Sequence, residues 1–120
     1  MRLLKKWLLL LKETPPVINN EKLSADLKEI AAKTIGEQNI IKTTPAMVGE
    51  DFGKYGKTPE NIPICLTWLG STSSQLMKEL AAKGEKPAPL HSPYLEPDYE
   101  KTIETGIRVM TGNVLGLAVR

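Results

Sequence analysis

The sequence predicts an α/β fold, in which helices pack on a small mixed sheet. Two segments repeat apolar residues at helical spacing, and the nearly continuous apolar run at residues 62–69 is typical of a strand buried on both faces. The predicted order is helix, strand, loop, strand, helix, loop, helix. Hydrophobic residues make up 41% of the chain and charged residues 25%, which is the composition of an ordinary globular domain.

The chain begins with an apolar segment and the first helix. Residues 1–13 contain a leucine-rich cluster, which predicts a strand or a short amphipathic helix that needs a partner surface. The proline pair that follows ends this segment, because neither proline can donate a backbone hydrogen bond. Asn19 or Asn20 can then cap a helix with apolar residues at helical spacing, and Gly36 fits its C-terminal end.

Two strands are predicted, with a glycine-rich loop at residues 45–59 between them. Residues 38–43 contain two consecutive isoleucines and form a short strand candidate, and residues 62–69 form a stronger one. Cys65 lies in this apolar run and is predicted to be a buried core thiol. Because two or three strands make a poor sheet, the apolar surface should need more chain to cover it.

The second half predicts two helices, joined by a proline-rich loop at residues 84–97. Ser73 or Ser74 can cap the first of these helices. Asp98 or Pro97 opens the last helix. One apolar stripe runs along this last helix and consists of Ile103, Ile107, Met110, Val114 and Leu117.

Charge and composition argue against several classes of partner. The net charge is +2, the lysines are spread among glutamates, and aromatic residues make up only 5% of the chain. These features do not predict a nucleic-acid surface. The apolar run near the N-terminus is too short to span a bilayer, and no small-residue cleavage site follows it. We therefore expect no membrane segment, no signal peptide and a cytoplasmic location.

The single histidine is the first candidate functional residue. His91 lies in a loop that Pro87, Pro89 and Pro93 stiffen. A stiff loop suits a metal ligand, because the imidazole must be held in a fixed direction. The alternative is a structural or solvent-exposed histidine. Catalytic zinc requires three protein ligands, and the sequence contains no second histidine and no cysteine pair.

An acidic pair, Glu50 and Asp51, is the second candidate. The pair can be a solvated turn, or one carboxylate can face a cation or a metal-bound histidine. Phe52 is expected to anchor this loop in the core. Gly49 and Gly53 would allow close backbone approach or a positive φ.

Several motifs in order resemble a known family. They are residues 49–56, the strand that ends at Leu69, residues 90–93 around the histidine, and a C-terminal helix that contains Gly106. The series is similar to metal-dependent amidohydrolases of the aminoacylase and hippurate hydrolase group, which are related to zinc carboxypeptidases. The resemblance extends from about residue 14 to the end of the chain.

The resemblance implies a fold and a set of site residues. Residues 15–120 are expected to form the C-terminal part of a zinc-peptidase-like catalytic domain, which is incomplete without its N-terminal half. Residues 1–14 are expected to be an unmatched or altered end of the lid domain. His91 matches the last metal ligand, and Glu50 and Asp51 match an acidic pair with a supporting role. Asn19 matches a recurrent asparagine, for which a helix cap is the expected role.

The resemblance also implies a function. Full-length relatives hydrolyse amide bonds of N-acyl amino acids or small peptides with divalent metals, for which zinc, manganese, cobalt and nickel are candidates. The expected fragment lacks most metal ligands and the general base, so we expect it to be inactive alone and not to hold a metal by itself. The alternative is a small non-enzymatic α/β module that binds a partner through its apolar N-terminus. Exposed apolar surface also predicts self-association.

Overall fold

Helices account for the regular structure of this computed structural model, which describes residues 14–119. The α-helices are α1 (Glu21–Ile35), α2 (Ser74–Lys83) and α3 (Tyr99–Ala118), and two 3-10 helices span Glu37–Asn39 and Phe52–Lys57. No β-strand is formed within the described residues. No helix in this part of the chain combines the length and hydropathy needed to cross a membrane. The interpretations of residues 1–13 lie outside the described residues.

The described chain divides into two compact units. The first contains residues 14–26 together with Ile41–Leu66, and the second contains Leu27–Ile40 together with residues 67–119. Ala31 is the one buried hydrophobic residue within the described ranges. Most large apolar side chains therefore remain at least partly accessible to solvent.

Helix α1 begins and ends close to the predicted positions. The Asn20 side-chain oxygen accepts a hydrogen bond from the Leu23 N–H at 2.9 Å, which satisfies one of the free donors of the first turn. Asn20 is therefore the cap, and the expected capping role of Asn19 is wrong. Gly36 follows the last helical residue with φ 89°, a conformation that glycine adopts without steric cost.

Local capping signals also fix the starts of α2 and α3. The Ser73 hydroxyl accepts a hydrogen bond from the Leu76 N–H at 3.2 Å. The Asp98 carboxylate accepts one from the Lys101 N–H at 3.4 Å. These contacts confirm Ser73 and Asp98, among the alternatives, as the capping residues. Gly84 ends α2 in the left-handed conformation with φ 70°.

The strand predicted at residues 62–69 is not formed. A strand requires a neighbouring strand to satisfy its backbone groups, and the described residues supply no such neighbour. Within residues 14–119, the backbone of this segment bonds to one backbone donor and to one side chain. The Asn20 N–H donates to the Ile64 carbonyl at 2.9 Å, and the Asn19 side chain pairs with the backbone of Leu66. The predicted mixed sheet is therefore not observed in residues 14–119.

The short strand predicted at residues 38–43 is also wrong. The chain instead forms the 3-10 helix at Glu37–Asn39. The Asn39 side chain donates to the Ile35 carbonyl at 2.6 Å, so it satisfies a free acceptor at the end of α1. Asparagine side chains often bond to nearby backbone groups and so offer the chain an alternative to strand pairing. Here the bond between Asn39 and Ile35 forms in place of a strand.

Cys65 is half-buried, whereas the sequence predicted a fully buried thiol. Its Sγ lies 3.4 Å from the Ser24 Oγ, within hydrogen-bonding distance for sulfur. No strand among residues 14–119 covers the apolar run around it. The thiol therefore sits at a boundary and not in a core.

In the second unit, α3 packs closely on the C-terminal half of α1. A Cβ atom at Gly112 would lie 2.8 Å from Thr34 Oγ1, and one at Gly116 would lie 2.7 Å from the Cδ1 of Ile30. At such distances the Thr34 and Ile30 side chains would have to shift to admit a side chain on this face of α3. The Arg108 guanidinium also donates to the Thr34 carbonyl at 2.7 Å, which places a cation at the C-terminal end of α1.

The apolar stripe of α3 forms as predicted but faces solvent. Its two central members, Ile107 and Met110, are 62% and 64% exposed. The stripe lies on the side of the helix away from Gly112 and Gly116. In a helix with 3.6 residues per turn, these two glycines project about half a turn away from the mean direction of the stripe. Helix α3 therefore has one face that contacts α1 and one apolar face without a partner in the described chain.

Candidate metal-ligand loop and acidic loop

His91 occupies a tight turn at the surface of the second unit. The Ser92 N–H donates to the Pro89 carbonyl at 3.1 Å, so Leu90 and His91 are the two central residues of a turn. His91 has φ 68°, which non-glycine residues rarely adopt, although histidine does so more often than most. Its side chain is exposed. The turn therefore holds the imidazole at the surface on a constrained backbone.

A second turn continues the loop directly after His91. The Ser92 hydroxyl accepts a hydrogen bond from the Tyr94 N–H at 3.1 Å, and the Ser92 carbonyl accepts one from the Leu95 N–H at 3.2 Å. The Asp98 N–H donates to the Ser71 carbonyl at 2.7 Å and ties the end of the loop to the segment before α2. These bonds define the course of the loop on both sides of Ser92.

A cavity of about 240 Å³ lies where this loop passes α2. Leu76 and Leu80 line it from the helix, and Pro87 and Tyr94 line it from the loop. His91 does not line this cavity. The cavity belongs to the packing of the loop on the helix, and the imidazole lies apart from it.

The acidic loop lies in the first unit, and its two carboxylates differ. Glu50 Oε1 accepts a hydrogen bond from the Phe52 N–H at 2.8 Å, at the start of the 3-10 helix. Asp51 makes no side-chain cap on that helix, although its carbonyl accepts from the Lys54 N–H at 3.0 Å. The Asp51 side chain is exposed, and Glu50 is half-buried. Glu50 therefore stabilises the loop, and Asp51 presents its carboxylate to solvent.

The glycine and aromatic residues of this loop contribute to its position. A Cβ atom at Gly53 would lie 2.8 Å from the carbonyl oxygens of both Pro15 and Pro16, so the predicted close backbone approach is confirmed there. The Phe52 and Tyr55 rings pack at 5.5 Å between centroids, and Phe52 is half-buried. Gly49 faces open space, so it does not share this constraint.

The candidate ligands do not form a metal site within a single unit. His91 belongs to the second unit, whereas Glu50 and Asp51 belong to the first, so their association stays a prediction. Residues 14–119 contain no group of three or more His, Cys, Asp or Glu side chains that could hold a metal ion. Because catalytic zinc requires three protein ligands, the described residues do not fit a complete metal site. His91 can offer one imidazole.

The sequence did not predict the contact that Asn19 makes. Its side-chain amide donates to the Leu66 carbonyl and accepts from the Leu66 N–H, each at 2.8 Å. The signal that could have indicated this contact is the pair of consecutive asparagines. Only one of them can cap the following helix, so the other is free to bind elsewhere.

A comparison with known families decides the relationship of this chain. The model of Peptidase family M20/M25/M40 matches residues 6–115. The chain belongs to this family. Its membership confirms the predicted resemblance to metal-dependent amidohydrolases and peptidases, supports a peptidase-like domain, and does not favour the alternative of a non-enzymatic module.

Curated relatives of this M20-family chain match most of it. An IAA-amino acid hydrolase ILR1-like 5 from Arabidopsis thaliana is 31% identical over 72% of the chain and 17% of its own length. The N-acetyldiaminopimelate deacetylase of Lactococcus lactis is 35% identical over 71% of the chain and 18% of its own length. The corresponding enzyme of Lactiplantibacillus plantarum is 33% identical over 80% of the chain and 20% of its length.

The chain thus spans about a fifth of the length of these relatives. No solved structure gives a significant match to it. The family relationship therefore rests on the sequence matches, and the geometry of the two loops comes from the structure of this chain.

Proposed function

We propose that this M20-family chain provides the C-terminal part of a metal-dependent amidohydrolase, with His91 as one metal ligand. The observation that carries the proposal is the position of His91 within a family match that covers residues 6–115. His91 is the single histidine of the chain, and it lies exposed on a turn with φ 68°. Strained backbone of this kind is concentrated at functional sites, where it holds side chains in fixed directions.

Exposure argues against a buried structural role for the imidazole and leaves the ring accessible to a cation. A buried structural histidine needs hydrogen-bond partners, whereas His91 projects from the surface between prolines 89 and 93. One of its ring nitrogens can bind a divalent cation while the other donates to a neighbouring acceptor. Zinc, manganese, cobalt and nickel all accept imidazole, so the donor type does not choose among them.

The acidic loop has a supporting role in this proposal. Glu50 is engaged with the Phe52 N–H and maintains the turn, so Asp51 is the carboxylate that faces outward. We assign Asp51 to the surroundings of the metal or of its histidine ligand, and Glu50 to the integrity of the loop. A carboxylate near a metal-bound histidine fixes the ring orientation and raises its basicity.

The proposed substrates are N-acyl amino acids or small peptides. The relatives are named as an IAA-amino acid hydrolase and as N-acetyldiaminopimelate deacetylases, and both names describe enzymes that act on amino acid conjugates. When bound, divalent metal in such a site supplies an activated water for amide hydrolysis. This chain contributes the imidazole of His91 and the carboxylate loop to that site.

The chain is proposed to be inactive without the remaining part of such an enzyme. Its described residues hold no cluster of three potential metal ligands. The test is an assay of N-acetyl amino acid hydrolysis by the purified 120-residue chain with added Zn²⁺, Mn²⁺ or Co²⁺. We expect no turnover above that of metal alone. Metal-dependent turnover that disappears in His91→Ala would overturn the claim of inactivity and retain the claim for His91.

A further inference from the structure

Ser92 takes part in both of the turns that surround His91. Its N–H donates to the Pro89 carbonyl at 3.1 Å and closes the first turn, in which His91 is the second central residue. Its carbonyl accepts from the Leu95 N–H at 3.2 Å and opens the second turn. Its hydroxyl accepts from the Tyr94 N–H at 3.1 Å within that turn. The residue directly after the proposed ligand is therefore bonded through its N–H, its carbonyl and its hydroxyl.

The backbone of His91 needs support from its neighbours. A turn with a positive φ at its second central residue forms most readily with glycine or asparagine there, yet this chain has histidine at that position, with φ 68°. The Cβ atom of a histidine makes this conformation less favourable than it is for glycine. Bonds outside His91 must therefore hold a backbone conformation that His91 itself disfavours.

The backbone of His91 also determines where its ring points. The χ1 rotamers that a side chain can adopt depend on its φ and ψ, so a change of φ at His91 would turn the imidazole in a different direction. Pro89 and Pro93 fix their own φ but donate no backbone hydrogen bond. The hydroxyl of Ser92 supplies a bond from a side chain, so a single substitution can remove it without altering the backbone.

The second turn lies against α2. Leu95 ends this turn, is half-buried, and lines the cavity of about 240 Å³ together with Leu76 and Leu80 of the helix. Ser92 thus connects His91 to a turn that packs on a regular helix. A ligand that must be held in one direction requires support of this kind from a rigid element.

We propose that Ser92 is a positioning residue for the imidazole of His91, on the basis of the proposed function of His91 as a metal ligand. The Ser92 hydroxyl keeps the second turn closed, and the closed turn keeps the Ser92 N–H on the Pro89 carbonyl. That bond holds His91 in the left-handed conformation. The ring is then ordered before a cation binds, and less side-chain entropy is lost on binding.

Nuclear magnetic resonance of the 120-residue chain without metal tests this role. His91 is its single histidine, so the imidazole gives one set of ring signals. The three-bond coupling between the amide proton and the α proton of His91 reports φ, and relaxation of the amide and of the ring reports order. Ser92→Ala removes one hydrogen bond, so the left-handed conformer is expected to lose population about fivefold relative to the others. The order parameters of the amide and of the ring are expected to fall with it.

Two further variants separate positioning from a general loss of stability. Ser92→Thr retains a hydroxyl at the same position and is expected to restore the φ and the order of His91. Ser73→Ala is the matched control, because the Ser73 hydroxyl accepts a comparable bond from the Leu76 N–H at 3.2 Å in the same unit. This control is expected to lower the melting temperature and to leave the φ and the ring order of His91 unchanged.

Unchanged φ and order of His91 in Ser92→Ala would overturn the positioning role, and so would an equal loss of order in Ser73→Ala. Both outcomes are measured without metal, so they do not depend on whether His91 binds one. The ligand role of His91 is tested separately, by the metal content of a chimera of this chain with the Lactococcus lactis deacetylase. Unchanged metal content in His91→Ala would overturn the ligand role, and the positioning role of Ser92 with it.

Discussion

The side-chain amide of Asn19 forms two hydrogen bonds with the backbone of Leu66, in the same donor-and-acceptor pattern that a neighbouring strand would use. Its Nδ2 donates to the Leu66 carbonyl, its Oδ1 accepts from the Leu66 N–H, and both distances are 2.8 Å. The residues are 47 positions apart in the chain. This pair therefore connects the start of α1 to an apolar segment that has no strand partner in the described residues.

Loss of the Asn19 amide should expose the backbone of Leu66. We expect Asn19→Ala to speed hydrogen exchange of the Leu66 N–H about fivefold, since one such bond contributes about 1 kcal/mol. Exchange of the Asn20 N–H, which donates to the Ile64 carbonyl, is the internal reference. Asn19→Asp retains an acceptor for the Leu66 N–H and should protect it better than alanine does. Equal exchange of Leu66 in Asn19→Ala and the unaltered chain would contradict this role.

Close approach between α1 and α3 should make Gly116 intolerant of a side chain. We expect Gly116→Leu to lower the free energy of unfolding by about 1–3 kcal/mol, the usual cost of overpacking. A Cβ atom alone would lie 2.7 Å from Ile30 Cδ1 and 3.0 Å from its Cγ1. Urea denaturation followed by circular dichroism measures the effect.

Gly106→Ala is the comparison for this substitution in the same helix. Its Cβ would meet only the movable Leu69 Cδ2 at 3.2 Å, and alanine favours helix by about 1 kcal/mol over glycine. This variant should be as stable as the original chain or more so. Equal destabilisation by both substitutions would show that close packing on α1 does not determine the role of Gly116.

Arg108 should stabilise the C-terminal end of α1. Removal of its hydrogen bond to the Thr34 carbonyl in Arg108→Ala is expected to cost about 1 kcal/mol in unfolding free energy. Glu104→Gln removes the exposed 3.6 Å ion pair with Arg108 and keeps the bond to Thr34, so its effect should be under about 0.5 kcal/mol. The melting temperatures of Arg108→Ala and Glu104→Gln show which of the two substitutions destabilises the chain more. A larger loss in Glu104→Gln would assign the stabilisation to the ion pair.

The left-handed backbone of His91 predicts that glycine at this position makes the chain more stable. His91→Gly should raise the unfolding free energy by about 1 kcal/mol, because glycine adopts φ near 68° without steric cost. Gly84→Ala is the converse case. Gly84 has φ 70° and open space around it, so alanine there should cost a similar amount through strain alone. If His91→Gly is instead destabilising, contacts of the imidazole must stabilise the loop in the free chain.

The helices could be predicted from the sequence because their signals are local. Ser73 and Asp98 were among the capping candidates, and each accepts the hydrogen bond that defines its cap. The strands could not be predicted in this way. Residues 62–69 have the composition of a buried strand, but strand formation depends on a partner that is distant in sequence or absent from the described chain.

The same distinction applies to the candidate site. His91 and the acidic pair were recognised from their motifs, and the family match supports the relationship that those motifs indicated. Sequence did not separate the roles of Glu50 and Asp51, because only the structure shows that Glu50 accepts from the Phe52 N–H. Nor did it predict the left-handed turn at His91, since proline neighbours indicate stiffness and not a particular φ.

The most direct measurement is the activity of a chimera. In it, this chain replaces the matching stretch of the Lactococcus lactis N-acetyldiaminopimelate deacetylase. We predict metal-dependent deacetylation, and a loss in His91→Ala that exceeds the roughly 10–100-fold cost of removing an outer-shell partner. Tyr94→Phe, in the same exposed loop, should retain activity. An active chimera in which His91→Ala changes neither turnover nor metal content would contradict the assignment of His91 as a metal ligand.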